Sequence, residues 1–222
     1  MLKPKLLIFD VNETLLDLSP LKNAINKALE NDMGFEVWFL QLLQYSLVET
    51  ITGNYNDFSS IAAAIFKMTA KKFDKEFSDE HIREILSKIT QLPPHVDVVH
   101  GLKDLKQQGF IMVALTNGKP SVAKEQLEFA GLTDFFDDIL SVEVVKKYKP
   151  AAETYHFVTD KYKIESSLAM MVAAHGWDIA GAKKAGLSTA FVKRPGKSPY
   201  ALAESPDLIL NTISELSGKL KA

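Results

Sequence analysis

The chain has 222 residues, 46% hydrophobic and 24% charged, which is enough for one sizeable α/β domain with an insertion and unlike a fibrous or disordered composition. A net charge of -2 gives no electrostatic ground for a nucleic-acid partner, so a small-molecule substrate is expected. The chain has no cysteine, which excludes disulfides, thiolate catalysis and cysteine-type zinc sites and fits a reducing compartment.

Met1 to Phe9 carries two lysines and a short apolar run that leads into a charged motif. It reads as neither a signal peptide nor a membrane span, so a cytoplasmic protein with no membrane partner is expected. Within it, Leu6 to Phe9 has the form of a fully buried parallel strand that delivers a functional residue at its C-terminal edge. Residues 15–92 show helical periodicity over Leu21–Leu29, Val37–Thr50, Phe58–Phe73 and Asp79–Ile89, with no convincing strand. Pro93 and Pro94 disfavour further helix and mark a return hinge.

Beyond them, apolar runs at Phe110–Leu115, Ile139–Val142, Leu168–Ala173, Thr189–Val192 and Leu208–Leu210 alternate with helical patterns at Val99–Gln108, Ser121–Ala130 and Ile179–Ala185. The spacing predicts an α/β fold: a Rossmann-like, doubly wound parallel sheet formed by 1–14 and 93–222, with a helical domain, 15–92, inserted after the first strand.

In an open α/β sheet, ligands bind at the carboxyl ends of the strands. The residues there are Asp10-Val11-Asn12-Glu13-Thr14, Thr116-Asn117-Gly118, Tyr148-Lys149-Pro150 and His175-Gly176-Trp177-Asp178. Brought to one cleft, they supply a carboxylate nucleophile, hydrogen-bond donors to orient it and a cation to hold its charge.

The strings FDVNETLLD, LTNG, YKP and AHGWDIAGA, in this order and spacing, resemble the four motifs of the haloacid dehalogenase superfamily, and the helical segment resembles its cap domain. YKPAAETY and GWDIAGAKKAGL are most similar to the (S)-2-haloacid (L-2-haloacid) dehalogenase branch. The resemblance implies that Asp10 attacks the carbon bearing the leaving group, with inversion, and forms a covalent aspartyl ester. It implies that Thr14, Thr116 and Lys149 orient and neutralise the carboxylate, that Asp178 orients Lys149, and that Asn117 faces the halide or substrate carboxylate. Tyr155 matches a tyrosine that lines the site, Val11 and Asn12 flank the nucleophile on the substrate side, and homodimers are common on this fold.

Three departures refine that expectation. Phosphatases of the superfamily carry an acid two residues after the nucleophile; Asn12 cannot donate as an acid, and Ala174 stands where a magnesium-binding carboxylate is expected. No metal or other cofactor is therefore expected, with a magnesium-dependent phosphatase for a small phosphomonoester as the alternative and a silent binding module as a further one. The arginine that anchors substrate from the cap is replaced by Phe39, and neither Arg83 nor Arg194 lies in that cap helix. A substrate carboxylate would then rest on backbone N–H groups, Thr116, Asn117 or Lys119, and the apolar part on Phe39, Phe58 and Trp177. Lastly, Glu13 and His175 lie at the ends of neighbouring strands, where a carboxylate-held imidazole could activate the water that hydrolyses the ester. His81, His95 and His100 read as structural, and Lys146-Lys147 and Lys193-Arg194 as solvated stretches.

Overall fold

The computed structural model describes residues 2–221. Six parallel strands, β1 (Leu6–Phe9), β2 (Ile111–Thr116), β3 (Asp138–Ser141), β4 (Ala169–Ala173), β5 (Ser188–Val192) and β6 (Leu208–Leu210), form one sheet in the order β3-β2-β1-β4-β5-β6. Covered by helices on both faces, the central strands β1 and β4 are buried throughout, so they appear in sequence as unbroken apolar runs rather than alternating ones. The order reverses between β1 and β4, where Phe9 lies opposite Val172. That reversal opens a crevice at the carboxyl edge of these two strands.

Between β1 and β2 run four helices, α1 (Ser19–Leu29), α2 (Gly34–Thr52), α3 (Phe58–Lys72) and α4 (Asp79–Leu86), the last continuing as a 3-10 turn over Ser87–Thr90. Local chemistry sets their ends: the Asp57 side chain caps α3 through the Ser60 N–H, Ser78 caps α4 through the His81 N–H, and Gly53 closes α2 with φ of 74°. The outgoing and returning segments run side by side, joined by Asp17 N to Pro93 O at 2.8 Å and His95 N to Leu15 O at 2.9 Å. The insertion rests on the sheet layer through a Lys119–Asp57 ion pair of 3.0 Å and a hydrogen bond from Gln126 Nε2 to Ile89 O at 3.0 Å. Among the described residues, no helix is long and apolar enough to cross a membrane.

After the insertion come α5 (Val98–Gln107), α6 (Pro120–Phe129), α7 (Ala152–Tyr162), α8 (Gly176–Lys184) and α9 (Ser214–Lys219). Helix α8 begins at Gly176, three residues before the expected Ile179, so Asp178 sits in its first turn. Helices α7 and α9 were not expected: α7 buries Thr154 and Thr159 along with Tyr155 and Val158, which blurs its apolar stripe, and α9 has only six residues.

Helix α8 packs closely against the loop that carries Lys149. A Cβ added at Gly181 would lie 2.7 Å from the Pro150 carbonyl oxygen and 2.9 Å from Tyr155 Oη, inside contact distance. Gly181→Ala is expected to cost about 1–3 kcal/mol, as overpacking does. A thermal melt should show a fall of several degrees, whereas Gly218→Ala, which lies within α9 and whose added Cβ meets nothing within 4 Å, should show no fall.

Candidate active site

The carboxyl ends of β1, β2 and β4 and the loop after β3 converge on Asp10, which is 5% exposed. The Lys149 ammonium donates to Asp10 Oδ1 at 2.7 Å, to Asp178 Oδ2 at 2.7 Å and to the Leu115 carbonyl at 3.2 Å, so all three of its protons are used. Thr14 Oγ1 donates to Asp10 Oδ2 at 2.7 Å and accepts from the Ala174 N–H at 2.9 Å, tying β1 to β4 at the nucleophile. Tyr155 Oη donates to Asp178 Oδ1 at 2.6 Å, and Asn117 Oδ1 accepts the Lys149 N–H at 3.0 Å.

Charge, not solvent, holds these groups ionised. Burial alone would raise the Asp10 carboxyl, but the Lys149 ammonium and the hydrogen-bonded His175 outweigh it and hold Asp10 well below the usual carboxylate range. Burial likewise opposes the Lys149 ammonium, yet Asp10 and Asp178 raise it above the ordinary lysine value. For Asp178, burial and the nearby Asp10 charge prevail over Lys149, and its carboxyl is raised.

His175 bridges two carboxylates, with Nδ1 at 3.1 Å from Asp10 Oδ2 and Nε2 at 2.8 Å from Glu13 Oε2. Both partners can only accept, so both ring nitrogens donate and the ring is an imidazolium. Burial would lower its pKa, but these two hydrogen bonds push it up to about 9. Lys197 Nζ completes the row at 2.6 Å from Glu13 Oε2, and the Trp177 ring stacks on His175 with centroids 5.0 Å apart.

The backbone at Glu13 is left-handed, with φ of 60°, a conformation that costs a non-glycine residue on the order of 1 kcal/mol. Two neighbours hold that turn: His95 Nε2 donates to the Glu13 carbonyl at 3.1 Å, and Arg194 donates to the Thr14 carbonyl at 2.9 and 3.1 Å while pairing with Asp97 at 2.7 Å.

Two cavities lie beside the site, and only the second is lined by members of the row. One, of about 250 Å³, starts at Asn12, Gly118 and Gln126 and is walled mainly by apolar side chains, among them Trp38, Phe39, Leu42 and Phe58. The other, of about 550 Å³, is polar and is lined by Glu13, Lys22, Glu36, Arg194 and Lys197. Phe39 faces the first and Phe35 the second; their rings stack 5.4 Å apart and form the partition.

A family model described as haloacid dehalogenase-like hydrolase matches residues 4–186. The chain belongs to this family of hydrolases. It is 28% identical to an (S)-2-haloacid dehalogenase of Xanthobacter autotrophicus over 96% of this chain and 83% of that protein, and 25% identical to another from Pseudomonas sp. strain YL over 90% and 87%. The solved L-2-haloacid dehalogenase of Xanthobacter autotrophicus superposes with a TM-score of 0.92 at 24% identity, covering 99% of each chain. A structure of that protein with chloropropionic acid covalently bound superposes equally well, at 23% identity.

Of the residues expected at this hydrolase site, Asp10, Glu13, Thr14, Lys149, His175 and Asp178 form one hydrogen-bonded cluster. Phe39, Phe58 and Asn12 line the apolar cavity, although the Asn12 amide oxygen already accepts from Gln126 Nε2 at 2.9 Å. Asn117 and Trp177 border the cluster through Lys149 and His175.

Other expectations need correction. Thr116 makes no hydrogen bond to Asp10: its Oγ1 accepts the Gly118 N–H at 3.0 Å and closes the turn after β2. Lys119 pairs with Asp57, the N-cap of α3, and Tyr155 is fully buried with its hydroxyl spent on Asp178. Val11 is likewise fully buried, and its carbonyl accepts the Leu15 and Leu16 N–H groups. Arg194 is no solvated residue, since its side chain is 8% exposed and pins the Thr14 turn. Arg83 lines the outer part of the apolar cavity from α4, a place its position in sequence did not disclose.

Removing Lys149 should expose how much the cluster depends on it. Lys149→Met leaves Asp10 and Asp178 buried without their cation, and urea denaturation near neutral pH is expected to report a loss of about 3–5 kcal/mol. Losing the cation raises at least one carboxyl above its unfolded value, so part of that stability should return as the pH falls and the proton binds. A variant equally unstable at neutral and mildly acidic pH would contradict this.

Proposed function

We propose that this hydrolase removes halide from short 2-haloacids, with preference for the (S) enantiomer, through a covalent ester on Asp10. The observation that carries this is a buried, ionised Asp10 beside Asn12, a position with no acid to protonate a leaving alcohol. Halide leaves as an anion and needs no such proton. The names of the relatives support the same chemistry, as does the covalent chloropropionic acid adduct of the Xanthobacter protein.

In the first step an Asp10 carboxylate oxygen attacks C2 from the side opposite the halogen; the carbon–oxygen bond forms, the carbon–halogen bond breaks and C2 inverts. The substrate carboxylate is held by backbone N–H groups and by the Asn117 amide, whose N–H2 group has no partner among the described residues. Esterification removes the negative charge that stabilises the His175 imidazolium, so the ring gives up a proton and becomes a base held by Glu13. It then takes a proton from water, whose oxygen adds to the Asp10 carbonyl carbon; collapse releases the 2-hydroxyacid and restores the carboxylate and imidazolium. Each turnover yields one halide and one proton.

Residues 15–92 act as a cap domain that keeps bulk water from the ester. No cofactor is required. Magnesium fits this donor set poorly: Asp178 is committed to Lys149 and Tyr155, Asn12 to Gln126, Ala174 offers no ligand, and two cations already hold Asp10. This argues against the phosphatase alternative. The lack of cysteine suits the cytoplasm.

Halide release from bromoacetate, and faster release from (S)- than from (R)-2-chloropropionate, both unaffected by chelator and lost in Asp10→Asn, is the expected result; magnesium-dependent release of phosphate from p-nitrophenyl phosphate instead would overturn the proposal. In His175→Asn, intact-protein mass spectrometry should find the ester accumulating, and unchanged turnover would remove His175 from the second step.

We also propose a homodimer. Helix α2 carries apolar residues beyond its buried face and leaves Leu40, Leu47 and Ile51 exposed, as a helix covered by a second copy would. Light scattering should give twice the chain mass, falling to one in Ile51→Glu; a monomeric wild type would refute this.

A further inference from the structure

Lys197 is the member of the charged row to which the mechanism above gives no part. It lies on the loop that follows β5, and packing fixes where that loop runs. A Cβ added at Gly176 would lie 2.7 Å from the Ser198 carbonyl oxygen and 2.7 Å from the Tyr200 nitrogen, so this backbone sits directly on the residue that follows His175. From there Lys197 Nζ reaches Glu13 Oε2 at 2.6 Å, and the same oxygen lies 2.8 Å from His175 Nε2. One carboxylate oxygen thus stands between an ammonium and an imidazolium. Burial would raise the Glu13 carboxyl, but His175 and Lys197 outweigh it and hold it below the ordinary glutamate value, so it is charged at neutral pH.

The other charges around the imidazolium are committed elsewhere. Asp10 faces Nδ1 and carries Lys149, which it shares with Asp178 from α8. On the far side of the Glu13 turn, Arg194 pairs with Asp97 and His95 bonds to the Glu13 carbonyl. Across the polar cavity Lys22 pairs with Glu36, and the Asp17 carboxylate accepts from Ser19. Lys197 is the cation among them that binds, through its side chain, the carboxylate on which the histidine leans.

We infer that Lys197 is a positioning residue for the second half of the reaction: by sharing the Glu13 oxygen with His175, its charge offsets the hold of that carboxylate on the imidazolium and lets the ring become a base once Asp10 is esterified. The inference rests on the dehalogenase proposal above and adds a residue to it. Before esterification, Asp10 and Glu13 together keep the ring protonated despite Lys197. Afterwards Glu13 alone faces two cations; the Nδ1 proton passes to water, and that nitrogen can accept a proton from the water that attacks the ester. Without Lys197 the whole Glu13 charge would act on the ring, and the imidazolium would persist.

The test follows the ester formed from bromoacetate across the neutral and alkaline range in the wild type, Lys197→Met and Lys197→Arg. Turnover divided by the fraction of protein found as ester by intact-protein mass spectrometry gives the rate of ester hydrolysis at each pH. Hydrolysis needs the neutral ring, so its rate rises with pH through the ring's pKa in the ester, and Lys197 lowers that pKa. In Lys197→Met the rising limb is therefore expected to move up by about one pH unit. Near neutral pH hydrolysis should fall about tenfold and the ester accumulate, while at alkaline pH the two proteins converge. Lys197→Arg keeps the charge and should keep the wild-type limb. A Lys197→Met limb at the wild-type position overturns the inference, and so does a loss of equal size at every pH, which a merely structural role would give. A shift in Lys197→Arg as large as that in Lys197→Met overturns it as well. No bromide release from bromoacetate by the wild type overturns the dehalogenase proposal itself.

Discussion

Asp10 stands in a row of alternating charges: Asp178, Lys149, Asp10, His175, Glu13 and Lys197, each 2.6 to 3.1 Å from the next. Its inner members are almost wholly removed from water. Taking an ion out of water costs several kcal/mol, so none of these groups is tolerable alone; the row is stable only as a whole. Two carboxylates and two cations balance at its buried end, and Glu13 with Lys197 carries it to the rim. The fold serves this requirement. Strand β1 brings Asp10, the start of α8 brings Asp178, the loop after β3 brings Lys149, and the turn from β4 into α8 brings His175. Tyr155, Thr14 and Asn117 spend their hydrogen bonds on keeping those four in line.

A row of this kind is also a device for chemistry. Its central carboxylate is flanked by a cation on either side, which keeps it ionised and ready at neutral pH but also occupies both of its oxygens. Conversion to an ester would cut the row in two. The Lys149–Asp178 half keeps its charge balance and has no reason to change. The other half, His175 with Glu13 and Lys197, would hold two cations against one carboxylate, and the ring nitrogen that faced Asp10 becomes the easiest place to release a proton. The same arrangement therefore disfavours a base before the ester exists and favours one afterwards.

Much of this was legible in the sequence because it depends on local pattern. Continuous apolar runs revealed β1 and β4, and the residues just after them are the nucleophile and the histidine. The neighbourhood of β1 and β4 then made the Glu13–His175 contact foreseeable. What stayed hidden depends on distant chain segments meeting. Nothing near Arg194 signals that it reaches back 180 positions to the Thr14 carbonyl, and nothing around Lys119 signals Asp57. Thr116 was misplaced by a different cause: a strand-end hydroxyl can turn to its own loop as easily as to a neighbour, and the Gly118 N–H was nearer. The left-handed Glu13 was equally invisible, because glutamate carries no marker for that conformation.

Phe39 stands between the two cavities, its ring stacked on that of Phe35. An arginine there would bring a second cation close to Lys197, whose ammonium already lies 5.9 Å from the Phe39 ring centroid. Like charges at that range repel, and either the arginine or the Glu13–Lys197 pair would be weakened. An aromatic ring avoids the conflict: its face accepts the nearby ammonium, while its other surroundings are Phe35 and the apolar cavity. An arginine at position 39 would therefore compete with Lys197 for the space beside Glu13, which the aromatic ring leaves to that lysine.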